Sequence, residues 1–432
     1  MTPSDPGALL SGLRVVEAAT MVMVPSVGAV LADYGAEVVK LEPLEGDLNR
    51  RGHHIPGMPV HSTDYEYCFL PDNRSKRSLA LDLKAPEARA IVRRLVEGAD
   101  VFLTNYRHKA LERLGLTWPE LEAVNPRLVY AHGTGFGDSG AEADKPGFDA
   151  VCYWSRSAME ATMFPMEGWL GSLGYGTGDH PSGMALFSAV LLALLARERT
   201  GRGTRVSSSL IASGAWSNSV LIQARLLEAK FQERRPREEA RTFTGVYYRA
   251  GDGRVFKMAV VDTEAGWPKV CRAIGRADLI DDPRYATHEE RSKEGRMRDL
   301  ILLCDEIFAS RPMEHWKREL EAADVPYSVV ATYDDVVADQ QMADTGVFVE
   351  VDDPELGRVR TVNTPFQLEA HPKVAPGPAP RLGEHSREIL RALGFAEREI
   401  SSLVSRGVVA AGASSADAGQ AIDPASGSNR PL

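Results

Sequence analysis

Four glycines, at 171, 174, 176 and 178, lead to one acid, Asp179, and behind it residues 184–195 hold neither a charge nor a helix breaker. The length and Ala/Leu content of that run predict a buried helix, not a strand. Arg197, Arg199 and Gly201 supply a basic last turn and a glycine stop. An acid at the head of such a helix can be a plain N-cap. The glycine run points to a second use, because amides without side chains approach a ligand closely. The positive helix end would also keep Asp179 ionised, as a nucleophilic carboxylate requires. His180, next along, either orients that carboxylate or faces solvent.

Composition sets the limits within which such chemistry operates. The chain has 432 residues, enough for two or more domains, with 44% hydrophobic and 25% charged residues, as expected of a soluble globular protein. A net charge of -10 argues against a nucleic-acid partner held by phosphate contacts, while local basic spots suit a phosphorylated small molecule. Cys68, Cys152, Cys271 and Cys304 form no CxxC pair and read as reduced thiols, with no metal or disulfide frame. The opening Met-Thr-Pro-Ser-Asp-Pro lacks a signal peptide's basic and apolar regions. The longest uncharged helical run is shorter than the roughly 20 residues that span a bilayer. A soluble, cytoplasmic protein with no membrane partner is the expectation.

The carboxylate needs a scaffold, and the order of elements suggests one. Strand candidates at 13–17, 36–42, 78–83, 100–104 and 127–131 alternate with helical stretches at 26–34 and 86–97. That alternation implies an α/β fold with a largely parallel, doubly wound, Rossmann-like sheet. No GxGxxG follows the first strand, so a dinucleotide site has no support. After the central helix, 205–210 is extended and 211–230 helical, and the charged run 231–241 reads as a connector. A hairpin signal over 245–261 and helices at 267–274 and 297–309 make a smaller α+β region. The expected division is a large domain over 1–215, a linker helix over 216–240 and a small domain over 241–328. The chain then returns to the large domain over 329–409, with short helices at 385–393 and 397–406. The tail, 410–432, holds almost no large apolar residue and is expected to be disordered.

Several segments, in order, resemble the family III CoA-transferases: Leu31-Ala-Asp-Tyr-Gly-Ala-Glu-Val-Val-Lys-Leu-Glu42, Asn73-Arg-Ser-Lys-Arg-Ser78, Asn105-Tyr106, Ala110-Leu-Glu-Arg-Leu-Gly115, Pro146-Gly-Phe-Asp149, Gly178-Asp179 and Pro380-Arg-Leu-Gly383. The resemblance runs from about Leu13 to about Gly407. It implies that Asp179 attacks an acyl-CoA thioester, giving an aspartyl-acyl anhydride and then an aspartyl-CoA thioester from which a carboxylic acid takes the CoA. Gly174, Gly176 and Gly178 would steady oxyanions and close over the intermediate. Lys76, Arg77, Asn105, Tyr106 and Arg113 stand at matching CoA-binding positions. Coenzyme A enters as substrate, with no tightly bound cofactor. The family's chains are open rings threaded through one another, so an interlocked homodimer is implied.

Departures narrow the reading. Formyl-CoA transferase carries a polar Gln-Ala-Gly-Pro where this chain has Val22-Met-Val-Pro25, which counts against oxalate as acceptor. The racemase branch has a His where this chain has Phe148, so one proton carrier for racemisation is missing. Glu142 and Asp144 are weaker candidates to meet the acceptor. An acyl-CoA racemase or epimerase and a non-catalytic acyl-CoA-binding subunit are the rival readings.

Overall fold

The computed structural model describes residues 7–163, 174–259, 264–293 and 295–412. Gly171 of the glycine run and the tail from 413 lie outside them. The described residues form two compact units, one of 7–163, 174–227 and 343–412, the other within 228–342.

Six strands of the first unit, β1 (Arg14–Ala18), β2 (Glu37–Glu42), β3 (Arg77–Leu81), β4 (Val101–Thr104), β5 (Val129–Thr134) and β6 (Thr204–Ser209), are parallel. Val409–Ala410, here β7, pairs antiparallel on the outside of β3, so the ordered chain extends just into the expected tail. The sheet order is β7-β3-β2-β1-β4-β5-β6. Apolar runs such as Val101-Phe-Leu103 form these strands because helices cover both faces of the sheet. On one face lies α1 (Met23–Asp33), whose Val24, Val27 and Leu31 pack with the sheet. On the other lies α2 (Pro86–Glu97), opened by its proline and burying Ile91, Val92 and Val96.

The long helix α3 (Asp179–Thr200) joins the α1 side, burying Gly183, Leu186, Phe187 and Val190 against α1, β5 and β6. At 22 residues it is, by length and composition, apolar enough to cross a membrane, which corrects the expected shortfall. Its packing on the sheet accounts for part of that apolar content. The expected buried helix is buried on one side only, since Leu191, Leu192 and Leu195 are exposed. Beyond it, the predicted single helix is two, Leu210–Ser217 and Ser219–Leu226, broken at Asn218, whose side-chain amide donates to Ser157 O at 2.8 Å.

The second unit holds an antiparallel sheet of Tyr247–Arg249, Val255–Met258 and Tyr327–Val329. Helices Gly266–Ala273, Arg296–Ala309 and Met313–Ala322 bury Trp267, Phe308 and Trp316 in its core, so this unit has the predicted α+β character. The four cysteines are free and buried.

The centre of the parallel sheet breaks its own apolar rule. Glu17 and Lys40 are cross-strand neighbours on β1 and β2, fully buried and 3.0 Å apart. Lys40 also pairs with Asp47 at 2.8 Å, and Glu17 with Lys76 at 2.7 Å. Removing one member of such a network strands its partners' charges in the interior. Lys40→Met is therefore expected to lower the unfolding free energy of this unit by about 3–5 kcal/mol, read from urea denaturation; a loss below about 1 kcal/mol would show that the network is incidental to stability.

Candidate active site

The strand order reverses between β1 and β4, and doubly wound sheets bind ligands at the carboxyl ends of strands at that point. Asn105, just after β4, ties the two lips together. Its Oδ1 accepts from Thr20 N at 3.0 Å and its Nδ2 donates to Thr20 O at 2.7 Å. Asp47 holds the same loop from below, accepting from Thr20 Oγ1 at 2.6 Å, Met21 N at 3.0 Å and Asn49 N at 2.9 Å. Met21 is fixed at φ 67°, a left-handed conformation uncommon for a residue with a side chain. Asn49 passes the constraint on, because its Oδ1 accepts from Tyr175 OH at 2.9 Å inside the glycine loop.

The glycines serve geometry. Gly176 adopts φ +69°, and a Cβ there would meet Val22 at 3.2 Å; a Cβ on Gly178 would meet the Tyr153 ring at 2.7 Å. Gly178 N donates to Asp149 Oδ2 at 3.0 Å, and Asp179 N and His180 N both donate to Gly176 O, at 3.1 and 3.2 Å. The oxyanion role expected of Gly178 is corrected accordingly, since its amide is committed within the loop. Gly174, at the loop's start, is exposed.

Asp179 is the first residue of α3, and Gly178 is the cap, so the acid is not an ordinary capping side chain. No hydrogen bond stabilises its carboxylate among the described residues. Burial, and then the neighbouring Asp149, push it up to about 7, against the pull of His180. The helix end does not keep it fully ionised as expected, because desolvation outweighs it. His180, with 52% of its side chain exposed, directs Nε2 at buried Asp72 Oδ1, 3.1 Å away, and Nδ1 at Gly176 O, 3.0 Å away. Burial opposes charge on the ring, but Asp72 and the Gly176 carbonyl outweigh it and raise the group to about 9.

The expected CoA contacts are placed unequally. Lys76 is buried, with Nζ held by Glu17, Pro25 O and Asn73 Oδ1 at 2.7, 2.8 and 3.0 Å. Burial lowers its amine to about 8 despite Glu17. It is a structural cation closed off from a phosphate, and that assignment is corrected. Asn105 spends its amide on Thr20, so its visible task is to shape the crevice. Arg77 is half-buried and pairs with Glu388 at 3.2 Å. Tyr106 packs on the large core with its carbonyl accepting from His132 Nε2 at 2.9 Å. Arg113 is exposed on the helix His108–Leu114. Glu142 pairs with Lys145 and Arg156, and Asp144 accepts from Lys109 N at 3.4 Å. Phe148 is exposed, leaving no proton carrier at that position.

Sequence reasoning assigned no role to Asp72, Asp149, Asn49 or Tyr175. Asp149 and Tyr175 lay within segments already singled out, but only the folded loop brings them to Asp179. Two groups, His53, His54 and Asp64, and His108, His132 and Asp138, bring three potential metal donors within 4.8 Å of one another. In the second, the Arg205 guanidinium already sits 2.7 Å from Asp138 Oδ1.

The strand order 3-2-1-4-5-6 of the six parallel strands defines an α/β protein with the Rossmann arrangement, the kind of sheet that takes nucleotide-bearing ligands at its switch point. The model of CoA-transferase family III matches residues 10–386, and the chain belongs to that family. It is 30% identical to the (R)-2-hydroxy-4-methylpentanoate CoA-transferase of Clostridioides difficile, across 93% of this chain and 99% of that protein. It is 32% identical to the probable fatty acyl-CoA transferase Rv3272 of Mycobacterium tuberculosis, across 90% and 99%. Among solved structures, a CAIB/BAIF family protein from Brucella suis superposes with TM-score 0.78 at 28% identity, covering 90% of this chain and all (100%) of that one.

An unpaired carboxylate raised to about 7 also costs the fold something. Its charge is disfavoured in the folded state, so its ionisation destabilises the fold progressively between about pH 4 and pH 7, with no further change above. Asp179→Asn is expected to raise the melting temperature at pH 8 and to do so less at pH 5. An equal effect at both values would mean that the carboxylate is not strained by burial.

Proposed function

We propose that this CoA-transferase works through Asp179. The carboxylate attacks the acyl-CoA carbonyl, and the thioester C–S bond breaks to give an aspartyl-acyl anhydride and CoA thiolate. The thiolate attacks the aspartyl carbonyl, releasing the first carboxylate and leaving an aspartyl-CoA thioester. The acceptor carboxylate attacks that carbonyl and expels CoA thiolate again. The thiolate then takes the acceptor acyl group, and Asp179 is regenerated as carboxylate. The observation that carries this reading is an acid at the head of α3 with no hydrogen-bond partner among the described residues, beside a loop whose conformation requires glycine.

We infer that acyl-CoA lies over the β1/β4 crevice, with Tyr106, Arg77 and Arg113 available to the nucleotide end, and that the acceptor is a monocarboxylate with an apolar side chain. In support, apolar Val22, at the entrance to α1, lies against Gly176 of the glycine loop. Relatives named for 2-hydroxy-4-methylpentanoate and for phenyllactate fit that class. For Asp179→Asn the expected result is a loss of transfer of at least about a thousandfold with acyl-CoA binding retained. Wild-type kcat/KM is expected to fall about tenfold per pH unit below about pH 7, as the nucleophile becomes protonated. Transfer surviving in Asp179→Asn, or failure to trap an Asp179 adduct with hydroxylamine during turnover, would remove the residue from the mechanism.

We further propose that the chain works as an interlocked homodimer in the cytoplasm. Trp216 and Val220 are 81% and 80% exposed, near in sequence to exposed Leu221, Leu226 and Leu227. So many large apolar side chains in one stretch mark a surface that a partner covers. Trp216→Glu with Leu226→Glu is expected to shift the light-scattering mass from dimer to monomer; an unchanged dimer would place the interface elsewhere.

A further inference from the structure

We propose that Asp72 and His180 act as a positioning pair that holds a cation next to the reacting carboxylate and so raises the anionic share of Asp179 under working conditions. The inference deepens the reading above and rests on it. A neutral imidazole has one N–H and one lone pair. His180 meets an acceptor oxygen at both nitrogens, Gly176 O at Nδ1 and the Asp72 carboxylate at Nε2, 3.0 and 3.1 Å away. Only the doubly protonated ring satisfies both. Asp72 is 3% exposed on the short helix Leu70–Asn73, so its own charge lacks bulk water and demands that cation.

The other groups facing Asp179 make the cation necessary. Asp149 approaches from the turn before Ala150–Ser155 and receives the Gly178 amide at 3.0 Å. Burial pushes the Cys152 thiol up to about 11 and the Tyr175 phenol well above its ordinary range, so both are neutral. Around Asp179 there are thus two carboxylates, two neutral groups and one imidazolium. Two like charges close to a third suppress its ionisation, and the ring is the one opposing charge in that set. A lysine or arginine bonded directly to Asp179 would also ionise it, but would tie up the lone pairs that must attack carbon. An imidazolium aimed at Asp72 and Gly176 supplies the field while leaving the carboxylate's oxygens unoccupied.

The alternative is that the pair merely anchors the loop, and pH profiles separate the two. His180→Gln removes the cation and leaves Asp72 unbalanced, so the acid limb of kcat/KM is expected to move up by about one pH unit. His180→Gln with Asp72→Asn removes the surplus negative charge and should bring the limb partly back. A purely structural role would lower the rate by one factor at every pH without moving the limb, and that result overturns the proposal. Nitrogen NMR on the wild-type protein supplies a check that needs no variant: His180 should keep imidazolium shifts at pH 8, and a neutral ring there overturns the proposal equally. Failure of the underlying reading is distinguishable, because it appears as transfer surviving in Asp179→Asn whatever the state of His180.

Discussion

Taking Glu17, Lys40, Glu42, Asp47, Arg50 and Lys76 out of water is tolerable only because each has an opposite charge within 3.0 Å. Three acids balance three bases on β1 and β2, in the loop after β2 and just before β3. The network does more than neutralise itself. Asp47, fixed by Lys40, gathers the backbone of Met21 and Asn49, and Asn49 reaches Tyr175, one residue before Gly176. The glycine loop therefore inherits its position from ion pairs in the sheet through an unbroken line of hydrogen bonds. A hydrophobic replacement of similar volume can match such a network's stability. It would lose the directional bonds that hold Met21 in its left-handed conformation and Val22 against Gly176.

Against that background the treatment of Asp179 is a contrast in kind. Asp47 is more deeply buried, yet Lys40 and backbone amides outweigh burial and hold it below the usual carboxylate range. Asp138, bonded by His132 and Arg205, is held down to about 2. Asp179 receives no such bonds among the described residues and rises to about 7. The same side chain is held ionised where donors surround it and is pushed toward its neutral form where they are withheld.

Much of this could be read in the sequence. The alternation of apolar strands with helices at 26–34 and 86–97 carried the parallel sheet, because strands buried on both faces must be apolar throughout. The glycine run before an uncharged helix marked Asp179. What escaped was everything that depends on long-range contact. Lys76 sits in a basic segment and looks like a phosphate ligand, but Glu17, 59 positions earlier, claims it. Asp72 meets His180 across 108 positions, and no local pattern announces that pairing. The glycine amides were expected to face outward because a sequence does not disclose that Asp149 would take one of them. The mid-length helix 211–230 broke at Asn218 because a tertiary bond to Ser157 overrode a continuous helical pattern.

On the mechanism proposed above, the position of Asp179 between acid and base matches what the reaction would ask of it. A carboxylate held near 2 would be ionised at every working pH but would be a weak nucleophile, since basicity and nucleophilicity rise together. One raised far above neutrality would attack well but would seldom be charged. A value of about 7 leaves roughly half the enzyme ready at neutral pH while retaining strong basicity. The same basicity governs the second half of the cycle. The carboxylate must also leave when CoA thiolate attacks an acyl group bound to it, and a mixed anhydride breaks at either carbonyl according to which acid departs more readily. An Asp179 more basic than an ordinary acyl carboxylate is the poorer leaving group. The thiolate's attack is thereby directed to the aspartyl carbonyl, expelling the substrate acid and carrying the exchange forward. On return, when the acceptor acyl group must be taken instead, the bias has to be reversed by position, through the placing of the thiolate over one carbonyl or the other. On this mechanism a loop held by bonds reaching back to the sheet would serve that placing, since electrostatics alone favours one direction of an exchange that must run through both.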